Sequence, residues 1–332
     1  MERLTPERAE ELLHAIAGTH VLVVGDIMLD RLISGTAERI SPEAPVPVVT
    51  VSGEDASLGG AANVAANIVA LGASCSLVGL CGSDESALRL RGELQRLGID
   101  DSSLVEAADR PTTTKTRVLA GHHQVVRIDR EDTTDILEAQ ATAVRDSVRG
   151  LLGKADAVAL EDYNKGLLVP SVIEAVLSAS AAAGIPTVVD PKKARFFEYA
   201  GSTVFKPNAR ELADALAEPL RSEDPDWMEA TRARLGCRGL LLTLGGSGMA
   251  LKVEGMDYVR VPTVARSVFD VSGAGDTVTA TVAVSLAAGA SQVEAALLAN
   301  HAAAIEVARA GVATVRPPDI IDHIRALQSK HH

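Results

Sequence analysis

The sequence predicts an α/β protein with a doubly wound, mainly parallel sheet between two layers of helices, together with a small second sheet. Short apolar runs resembling strands alternate with longer helix-like runs along nearly the whole chain, as is typical of parallel strands joined by crossover helices. In two places strand-like segments follow one another without a helix. The chain has 332 residues, 47% of them hydrophobic, which is ample for a three-layer core.

The elements of the main sheet follow one another in order. The first half of the chain predicts strands at 21–24, 75–78 and 157–160, and helices at 61–71, 85–97 and 136–152. The second half predicts strands at 187–189, 203–205 and 239–243, helices at 170–183 and 209–216, and two final helices, the first at 274–288. Ligands of such sheets bind at the carboxyl ends of the strands. Residues that follow strands are therefore the first candidates for a site.

The small second sheet is predicted from three stretches that alternate in β fashion, 46–51, 113–120 and 124–128. A proline-containing segment at 41–47 leads into it in an extended conformation. We expect a single domain over 1–332 with insertions at about 31–57 and 109–130. A sheet with one uncovered face also favours pairing with a second copy of the chain.

Charge and composition narrow the function. A net charge of -12 and an aromatic content of 2% argue against a nucleic-acid partner, which requires basic surfaces and stacking side chains. No apolar run reaches the roughly eighteen residues of a membrane span, and the first seventeen residues lack the apolar core of a signal peptide. These features predict a cytoplasmic protein. Cys75, Cys81 and Cys237 lack metal-ligand spacing and are predicted to be reduced core residues.

The most informative motif is Asp-Val-Ser-Gly-Ala-Gly-Asp-Thr-Val at 270–278, followed by small apolar residues. Gly273, Ala274 and Gly275 would open a helix whose free amides attract an anion, and Asp276 is the nearby base. A carboxylate beside a phosphate site is explained if it removes a proton from a hydroxyl that attacks the phosphoryl group. An ordinary glycine-rich turn remains the alternative.

Sugar-binding candidates follow the first strand and precede the first buried helix. Asp30 could accept hydrogen bonds from hydroxyls, and Gly59 with Gly60 would allow a polyol to approach Asn63. A turn, a helix cap or close helix packing would explain the same residues.

Three further segments point to a nucleotide. Asn208 and Glu211 share one face of a helix start, where they suit Mg²⁺ or, equally, form a capping box. The loop after the strand at 239–243 either holds phosphates or forms a hairpin, and its candidate residues are Thr243, Gly245, Gly246 and Gly248. Asn300, in the last long helix, either flanks the nucleotide or lies on the surface.

Several familiar sites are missing. The sequence contains no P-loop, no GxSxG nucleophile motif, no HExxH and no GxGxxG after its first strand. A P-loop enzyme, an α/β hydrolase, a zinc protease and a dinucleotide-binding oxidoreductase are therefore disfavoured.

The order of these motifs resembles the ribokinase (PfkB) family of carbohydrate kinases over nearly the whole chain. The resemblance implies ATP and Mg²⁺ as cofactors, a ribokinase-like fold and a β-sheet lid that covers the sugar and often forms a dimer. It further implies Asp276 as the general base, residues 273–276 as the anion hole, Asn208 with Glu211 as the magnesium pair, residues 245–248 at the nucleotide and Asn300 near the adenine. Asp270 and Ser272 occupy the stretch where the family often binds a monovalent cation such as K⁺.

Within that family, the segments at 39–48, 111–117, 127–131, 161–166 and 190–192 resemble the kinases of D-glycero-β-D-manno-heptose 7-phosphate, which form the 1,7-bisphosphate for the ADP-heptose of lipopolysaccharide. Many of these are fused to a nucleotidyltransferase with an HxGH motif, which this sequence lacks, so a kinase without that domain is expected. Two positions depart from the pattern: Val271 replaces a common Thr, and Asn164 stands where Gly is expected.

A sugar phosphate needs cations away from ATP. Basic residues are found in the lid and strand-end segments, and the substrate candidates there are Lys115, Arg127, Asp129, Lys165 and Lys192, with Arg117 beside them. Each is also explained as a solvated surface charge. Another ribokinase-like sugar or nucleoside kinase and a non-catalytic sugar-phosphate sensor are the alternative functions.

Overall fold

The computed structural model describes residues 4–309, 311 and 313–329, within which the chain forms fourteen strands and ten α-helices. The strands are β1 (His20–Gly25), β2 (Ile27–Ile40), β3 (Pro47–Gly60), β4 (Ser74–Val78), β5 (Leu80–Cys81), β6 (Val105–Glu106), β7 (Thr114–Ala120), β8 (His123–Arg130), β9 (Ala157–Glu161), β10 (Thr187–Asp190), β11 (Val204–Phe205), β12 (Gly239–Thr243), β13 (Met249–Val253) and β14 (Val259–Val261). The helices are α1 (Pro6–Ile16), α2 (Ala61–Ala70), α3 (Glu85–Arg96), α4 (Glu138–Leu151), α5 (Pro170–Ala183), α6 (Ala209–Leu216), α7 (Pro225–Leu235), α8 (Ala274–Ala287), α9 (Gln292–Glu306) and α10 (Pro317–Gln328).

The main sheet has eight strands in the order β14-β13-β12-β11-β10-β9-β1-β4. All neighbours from β12 to β4 are parallel, and β13 and β14 add an antiparallel edge. The mainly parallel α/β architecture predicted from the sequence is therefore confirmed.

Two hydrophobic cores lie on opposite faces of this sheet because successive strand residues point in opposite directions. On β1, Val21 and Val23 pack in a core with α1, α2, α3, α8, α9 and α10. Leu22 and Val24 belong to the other core, with α4, α5, α6 and α7. The near-continuous apolar strands of the sequence are thus buried on both faces.

The small sheet has the order β3-β2-β7-β8, and its strand β2 follows directly from the carboxyl end of β1. The sequence does not predict β2, and it predicts β3 only over 46–51, because residues 52–55 lie on an exposed part of the strand and give no apolar signal. Gly60, at φ 58°, makes the abrupt change from β3 into α2.

The structure also bears on the predicted state of the three cysteines and on the membrane spans. Cys75, Cys81 and Cys237 are free and buried, as predicted. In the described part of the chain, no helix combines the length and the apolar character needed to cross a membrane.

Candidate active site

The candidate site lies at the carboxyl ends of the central strands, where the first turn of α8 meets β9, β10 and the loop after β12. A cavity of about 470 Å³ opens there. The residues predicted to bind phosphate, magnesium and nucleotide line it together: Asn208, Glu211, Thr243, Gly245, Gly246, Gly248, Gly273, Ala274, Gly275, Asp276 and Asn300. Segments far apart in sequence thus meet at one edge of the sheet.

Asp276 is buried in the first turn of α8, and both of its carboxylate oxygens are held. The side-chain amide of Asn63 donates to Oδ2 at 2.6 Å, and the hydroxyl of Tyr163 donates to Oδ1 at 2.8 Å. Burial raises the pKa of Asp276 to about 6, against the lowering effect of these two hydrogen bonds. The carboxylate is therefore largely ionised near neutral pH and more basic than an exposed aspartate.

The glycine loop in front of Asp276 shapes an anion site. Gly273 caps α8 with φ 92°, a conformation that glycine adopts freely. The first turn of a helix leaves amide groups without intrahelical partners, and α8 directs its first turn at the cavity. The same turn therefore supplies donors for a phosphate and a carboxylate beside it.

Asn208 and Glu211 form a capping box and also line the cavity, so their position is compatible with both interpretations of their spacing, a helix cap and a magnesium site. They form a capping box on α6, with the amide of each residue donating to the other's side chain at 2.9 Å. The remaining Oε1 of Glu211 accepts a hydrogen bond from Lys192 Nζ, while both residues line the cavity. Such a set of amide and carboxylate oxygens fits Mg²⁺ held through water, because few oxygens are free for direct ligation.

The loop after β12 is both a hairpin and a wall of the cavity. It turns through 245–247 and Gly248, at φ 89°, into the antiparallel strand β13. Asn300, which is buried on α9, donates from its side chain to the carbonyl of Pro262 at 2.8 Å. These residues leave a bare, glycine-rich surface suited to a nucleotide.

The sugar-side candidates lie beside Asp276, at the base of the small sheet. Asp30 on β2 accepts a hydrogen bond from Arg117 Nη1 at 2.6 Å. Gly59 pairs with Met28 on the neighbouring strand, and a Cβ at position 59 would lie 2.5 Å from Asp30 Oδ2. Asn63 is occupied by Asp276, so in this structure it orients the base.

The cationic candidates divide into two groups. Lys115 and Lys192 converge on the ring of Tyr163, with Nζ 5.5 Å and 4.9 Å from its centroid. Lys115 comes from the small sheet and Lys192 from the loop after β10. Two different parts of the fold therefore bring a lysine to the tyrosine that donates to Asp276.

The other cations lie further from the cavity. Lys165 pairs with Glu131 at 2.8 Å and lines a separate, small recess. Arg127 pairs with Asp129 at 2.9 Å along the exposed strand β8. Asp129 is the register partner of Lys115 across β7 and β8, so the second pair lies beside the small-sheet candidate rather than on the cavity.

The candidate cation site before α8 is organised by its own backbone. Asp270 Oδ1 accepts from the amide of Ser272 at 2.9 Å, and Oδ2 accepts from Gly311 at 3.2 Å. Hydrogen bonds from Ser272 are the main reason that the pKa of Asp270 is lowered. This carboxylate therefore holds the loop, and a role in K⁺ binding stays a prediction.

Four residues of the site lie outside the predicted set. Tyr163 orients Asp276, and the fully buried Glu161 lies next to the ion pair of Asp190 with Lys206, whose atoms are 2.9 Å apart. Each follows or ends a parallel strand, and three of them lie in the segments at 161–166 and 190–192 that carry the family resemblance, although neither signal assigns them a role.

The loop after β9 explains one departure from the expected motif. Asn164, where glycine is expected, has φ 53°, and asparagine tolerates this left-handed conformation better than most residues. The backbone amides of residues 163, 165 and 167 donate to Asp26, which is buried at the end of β1. Asp26 therefore fixes the loop that carries Tyr163.

Comparison with known proteins agrees with this geometry. The description "pfkB family carbohydrate kinase" matches residues 18–319. The chain is 45% identical over 316 residues to the "Bifunctional protein HldE" of Caulobacter sp. (strain K31), covering 94% of this chain but 64% of that relative. It thus spans slightly less than two thirds of the relative's length.

Solved structures share the fold at low identity. A ribokinase of Arabidopsis thaliana, complexed with ribose and ATP, superposes with a TM-score of 0.72 at 21% identity, covering 93% of this chain and 99% of that one. Phosphofructokinase-2 of Escherichia coli, in complex with fructose-6-phosphate, gives 0.75 at 17% identity, again covering 93% and 99%. The ribokinase-like fold and the assignment as a sugar kinase are therefore confirmed, and the chain belongs to the pfkB family of carbohydrate kinases.

Proposed function

We propose that this kinase transfers the γ-phosphoryl group of ATP to the anomeric C1 hydroxyl of D-glycero-β-D-manno-heptose 7-phosphate, forming the 1,7-bisphosphate for ADP-heptose and lipopolysaccharide core synthesis. The observation that carries the proposal is the position of Asp276. It lies in the first turn of α8, between a nucleotide-sized cavity and the small sheet. The substrate itself is inferred from the segments that resemble heptose 7-phosphate kinases.

Asp276 is the general base of the proposed reaction. Its carboxylate takes the proton of the C1 hydroxyl while the hydroxyl oxygen forms a bond to the γ-phosphorus and the bond from that phosphorus to the ADP oxygen breaks. Asn63 and Tyr163 fix both carboxylate oxygens, so the base does not need to reorient. The first-turn amides of α8 stabilise the charge on the transferred group.

The nucleotide occupies the cavity between the loop at 243–248 and α9. Asn300 lies near the adenine, and Asn208 with Glu211 holds Mg²⁺ through water. When bound, Mg²⁺ neutralises phosphate charge. Lys192 contacts Glu211 and lines the same cavity, so we assign it a contact with the same phosphates.

The sugar phosphate binds on the other side of Asp276, beneath the small sheet acting as a lid. In this proposal Asp30 binds a sugar hydroxyl and Lys115 binds a negative charge. The Nζ of Lys115 lies over the ring of Tyr163 and forms no ion pair with a carboxylate of the described residues. Arg117 and Lys165 are engaged by Asp30 and Glu131, so substrate would have to compete for them.

The remaining expectations belong to the same proposal: a cytoplasmic homodimer joined through the small sheet, with a K⁺ site near Asp270 and Ser272. The uncovered apolar side chains of the small sheet support the dimer, and they include Ile40, Val51, Val126 and Ile128. The absence of a nucleotidyltransferase domain also stays a prediction.

A coupled ADP-release assay with heptose 7-phosphate, fructose 6-phosphate, ribose and adenosine tests the substrate. We expect kcat/KM for heptose 7-phosphate to exceed the others by at least ~100-fold, because polar groups built for one substrate are left unpaired by another. A higher kcat/KM for fructose 6-phosphate would show that the enzyme phosphorylates a different sugar phosphate from the one proposed. This runner-up is favoured by the fold shared with a phosphofructokinase in complex with that sugar.

Lys115→Ala tests the phosphate contact within the same assay. We expect a rise in KM for the sugar phosphate with little change in KM for ATP. Lys154→Ala, an exposed lysine near the amino end of β9, is the matched control. Equal effects of the two substitutions would exclude Lys115 from the substrate site.

A further inference from the structure

Glu161 is a buried carboxyl group beside the candidate base that the reaction described above does not use. It is the last residue of β9 and has no exposed surface. Among the described residues, no N–H or O–H donor reaches either of its Oε atoms. An ionised carboxylate in such a place would be costly, so its protonation state requires an explanation.

Strand register places Glu161 directly next to Asp190. The two residues are partners in the parallel pair β9–β10, and Gly25 is the partner of Glu161 on the other side, in β1. One carboxylate oxygen from each of Glu161, Asp190 and Asp276 lies within 4.8 Å of the others. Three negative charges at these distances would repel one another strongly in a buried site.

The hydrogen-bond donors and lysines near these three carboxyl groups contact Asp190 and Asp276. Asp190 accepts from Lys206 Nζ at 2.9 Å, and Lys192 Nζ lies 3.8 Å from its other oxygen. The two donors that reach Asp276 are the side chains of Asn63 and Tyr163. Glu161 is therefore the member of the cluster for which no cation or donor remains.

The pKa directions agree with this division. Burial first, and then the charges of Asp190 and Asp276, raise the pKa of Glu161 well above its ordinary value, while Lys206 and Lys192 oppose the rise. Burial also acts to raise the pKa of Asp190, but Lys206 and Lys192 lower it overall. The proton therefore resides on Glu161, and Asp190 is the ionised partner.

We propose that Glu161 is a positioning residue for the phosphoryl transfer, kept as a neutral acid that donates a hydrogen bond to Asp190. With Asp190 paired to Lys206, Asp276 is then the one member of the cluster that presents a negative charge without a paired lysine to the incoming phosphate. The inference rests on the proposed function for its kinetic meaning. The proton remains on Glu161 throughout, and no bond to it is broken. Ionised Glu161 would add a charge behind the anion hole and weaken ATP binding.

Difference infrared spectroscopy of the intact protein tests the protonation state without any substrate. At neutral pH we expect a carbonyl band of a protonated carboxyl group in the wild type that is missing in Glu161→Gln. Glu306→Gln is the matched control, because burial raises the pKa of Glu306 to about 8 and its Oε atoms also lack partners in the described part of the chain. That variant should lose a different band and keep the one assigned to Glu161.

Two results would overturn the inference. If Glu161→Gln loses no protonated band, Glu161 is ionised. If MgCl₂ alone abolishes the band in the wild type, the three carboxylates form a metal site instead. Both results are independent of which sugar the enzyme phosphorylates, so they are distinguishable from a failure of the proposed function.

The pH dependence of KM for ATP tests the kinetic consequence. Above the pKa of Glu161 the neutral fraction falls tenfold per pH unit, so KM in the wild type should rise by up to ~10-fold per unit. In Glu161→Gln, which stays neutral and retains a donor, this alkaline rise should be missing. An identical rise in both proteins would show that Glu161 does not affect the nucleotide.

Discussion

At the scale of single residues, the carboxyl groups of the site differ in their hydrogen-bond and ion-pair partners. Asp276 is held by two neutral donors, Asp190 by lysines and Asp26 by three backbone amides. Neutral donors stabilise an ionised carboxylate less than a full positive charge does, so Asp276 remains more basic than Asp190. The same residue type therefore serves as base, ion-pair partner and loop anchor.

Asp276→Asn should lower kcat by roughly 10²- to 10⁴-fold, because the amide cannot accept the hydroxyl proton. Nucleotide binding, followed by titration calorimetry, should be largely retained. Asp257→Asn, at an exposed position, is the control for a general effect of charge removal. Near-normal turnover of Asp276→Asn would exclude it as the base.

The acid limb of the pH profile should report the same carboxylate. Because the pKa of Asp276 is about 6 and the ionised form is the active base, kcat/KM should fall tenfold per pH unit below that value. The measurement is kcat/KM for the sugar across the acid range. A profile that stays flat through this range would contradict an aspartate base with a raised pKa.

Asp276 should also reduce the stability of the fold. Its pKa is raised from 3.8 to about 6, so the folded state holds its proton more tightly than the unfolded state and is stabilised at low pH. That stability is lost as the pH rises through the folded value, a cost of about 3 kcal/mol at neutral pH.

Asp276→Asn should therefore raise the free energy of unfolding at neutral pH by ~1–3 kcal/mol, measured by urea denaturation. The gain should shrink when both proteins are compared at a pH below the unfolded value of 3.8. A destabilised variant at neutral pH would show that the hydrogen bonds of the carboxylate outweigh its burial.

At the scale of elements, the carboxyl ends of three adjacent strands place the catalytic groups. In the strand register, Glu161 on β9 pairs with Gly25 on β1 and with Asp190 on β10. The first turn of α8 lies next to these strand ends. A Cβ at position 25 would lie 2.2 Å from the carbonyl oxygen of Glu161 and 2.9 Å from its Cβ. The glycine is therefore what allows β1 and β9 to approach at this end.

Gly25→Ala should force these strands apart and lower the free energy of unfolding by ~1–3 kcal/mol. It should also reduce activity, because Glu161 and the loop carrying Tyr163 would shift. Gly92→Ala, in the middle of α3 with open space around it, should be neutral or stabilising. Chemical denaturation of both variants is the measurement, and equal stabilities would refute the close-contact argument.

The sequence predicted the elements of the main sheet well because their apolar runs are buried on both faces. It predicted α5 and α6 with the observed bounds, Pro170–Ala183 and Ala209–Leu216. It did not predict α7, whose apolar and charged residues follow no clear helical stripe. Motifs with glycine or capping spacing led to the cavity residues. Contacts such as Tyr163 with Asp276 depend on strand order and register, which local patterns do not contain.

At the scale of the whole molecule, a large α/β body carries a small sheet with one uncovered face. The last strand of that sheet, β8, is exposed along its whole length and bears apolar side chains. Exposed apolar strands at a sheet edge favour pairing with another chain. The proposed dimer would cover this surface and keep the small sheet in place over the sugar.

Ile128→Lys should therefore shift the protein from dimer to monomer in analytical ultracentrifugation and raise KM for the sugar more than KM for ATP. Met256→Lys, an exposed apolar residue outside the small sheet, is the control. A wild type that sediments as a monomer would contradict the proposed assembly.

The ring of Tyr163 has a consequence for the order of events on the enzyme. Its ring meets Lys115 of the small sheet and Lys192 of the body, while its hydroxyl donates a hydrogen bond to Asp276. A cation over such a ring is worth ~1 kcal/mol, about a factor of five in population. When the small sheet swings away, the tyrosine loses one of these contacts and the carboxylate is held less firmly. ATP bound alone should then meet a poorly aligned base, so the enzyme should hydrolyse little ATP until a sugar draws the small sheet down.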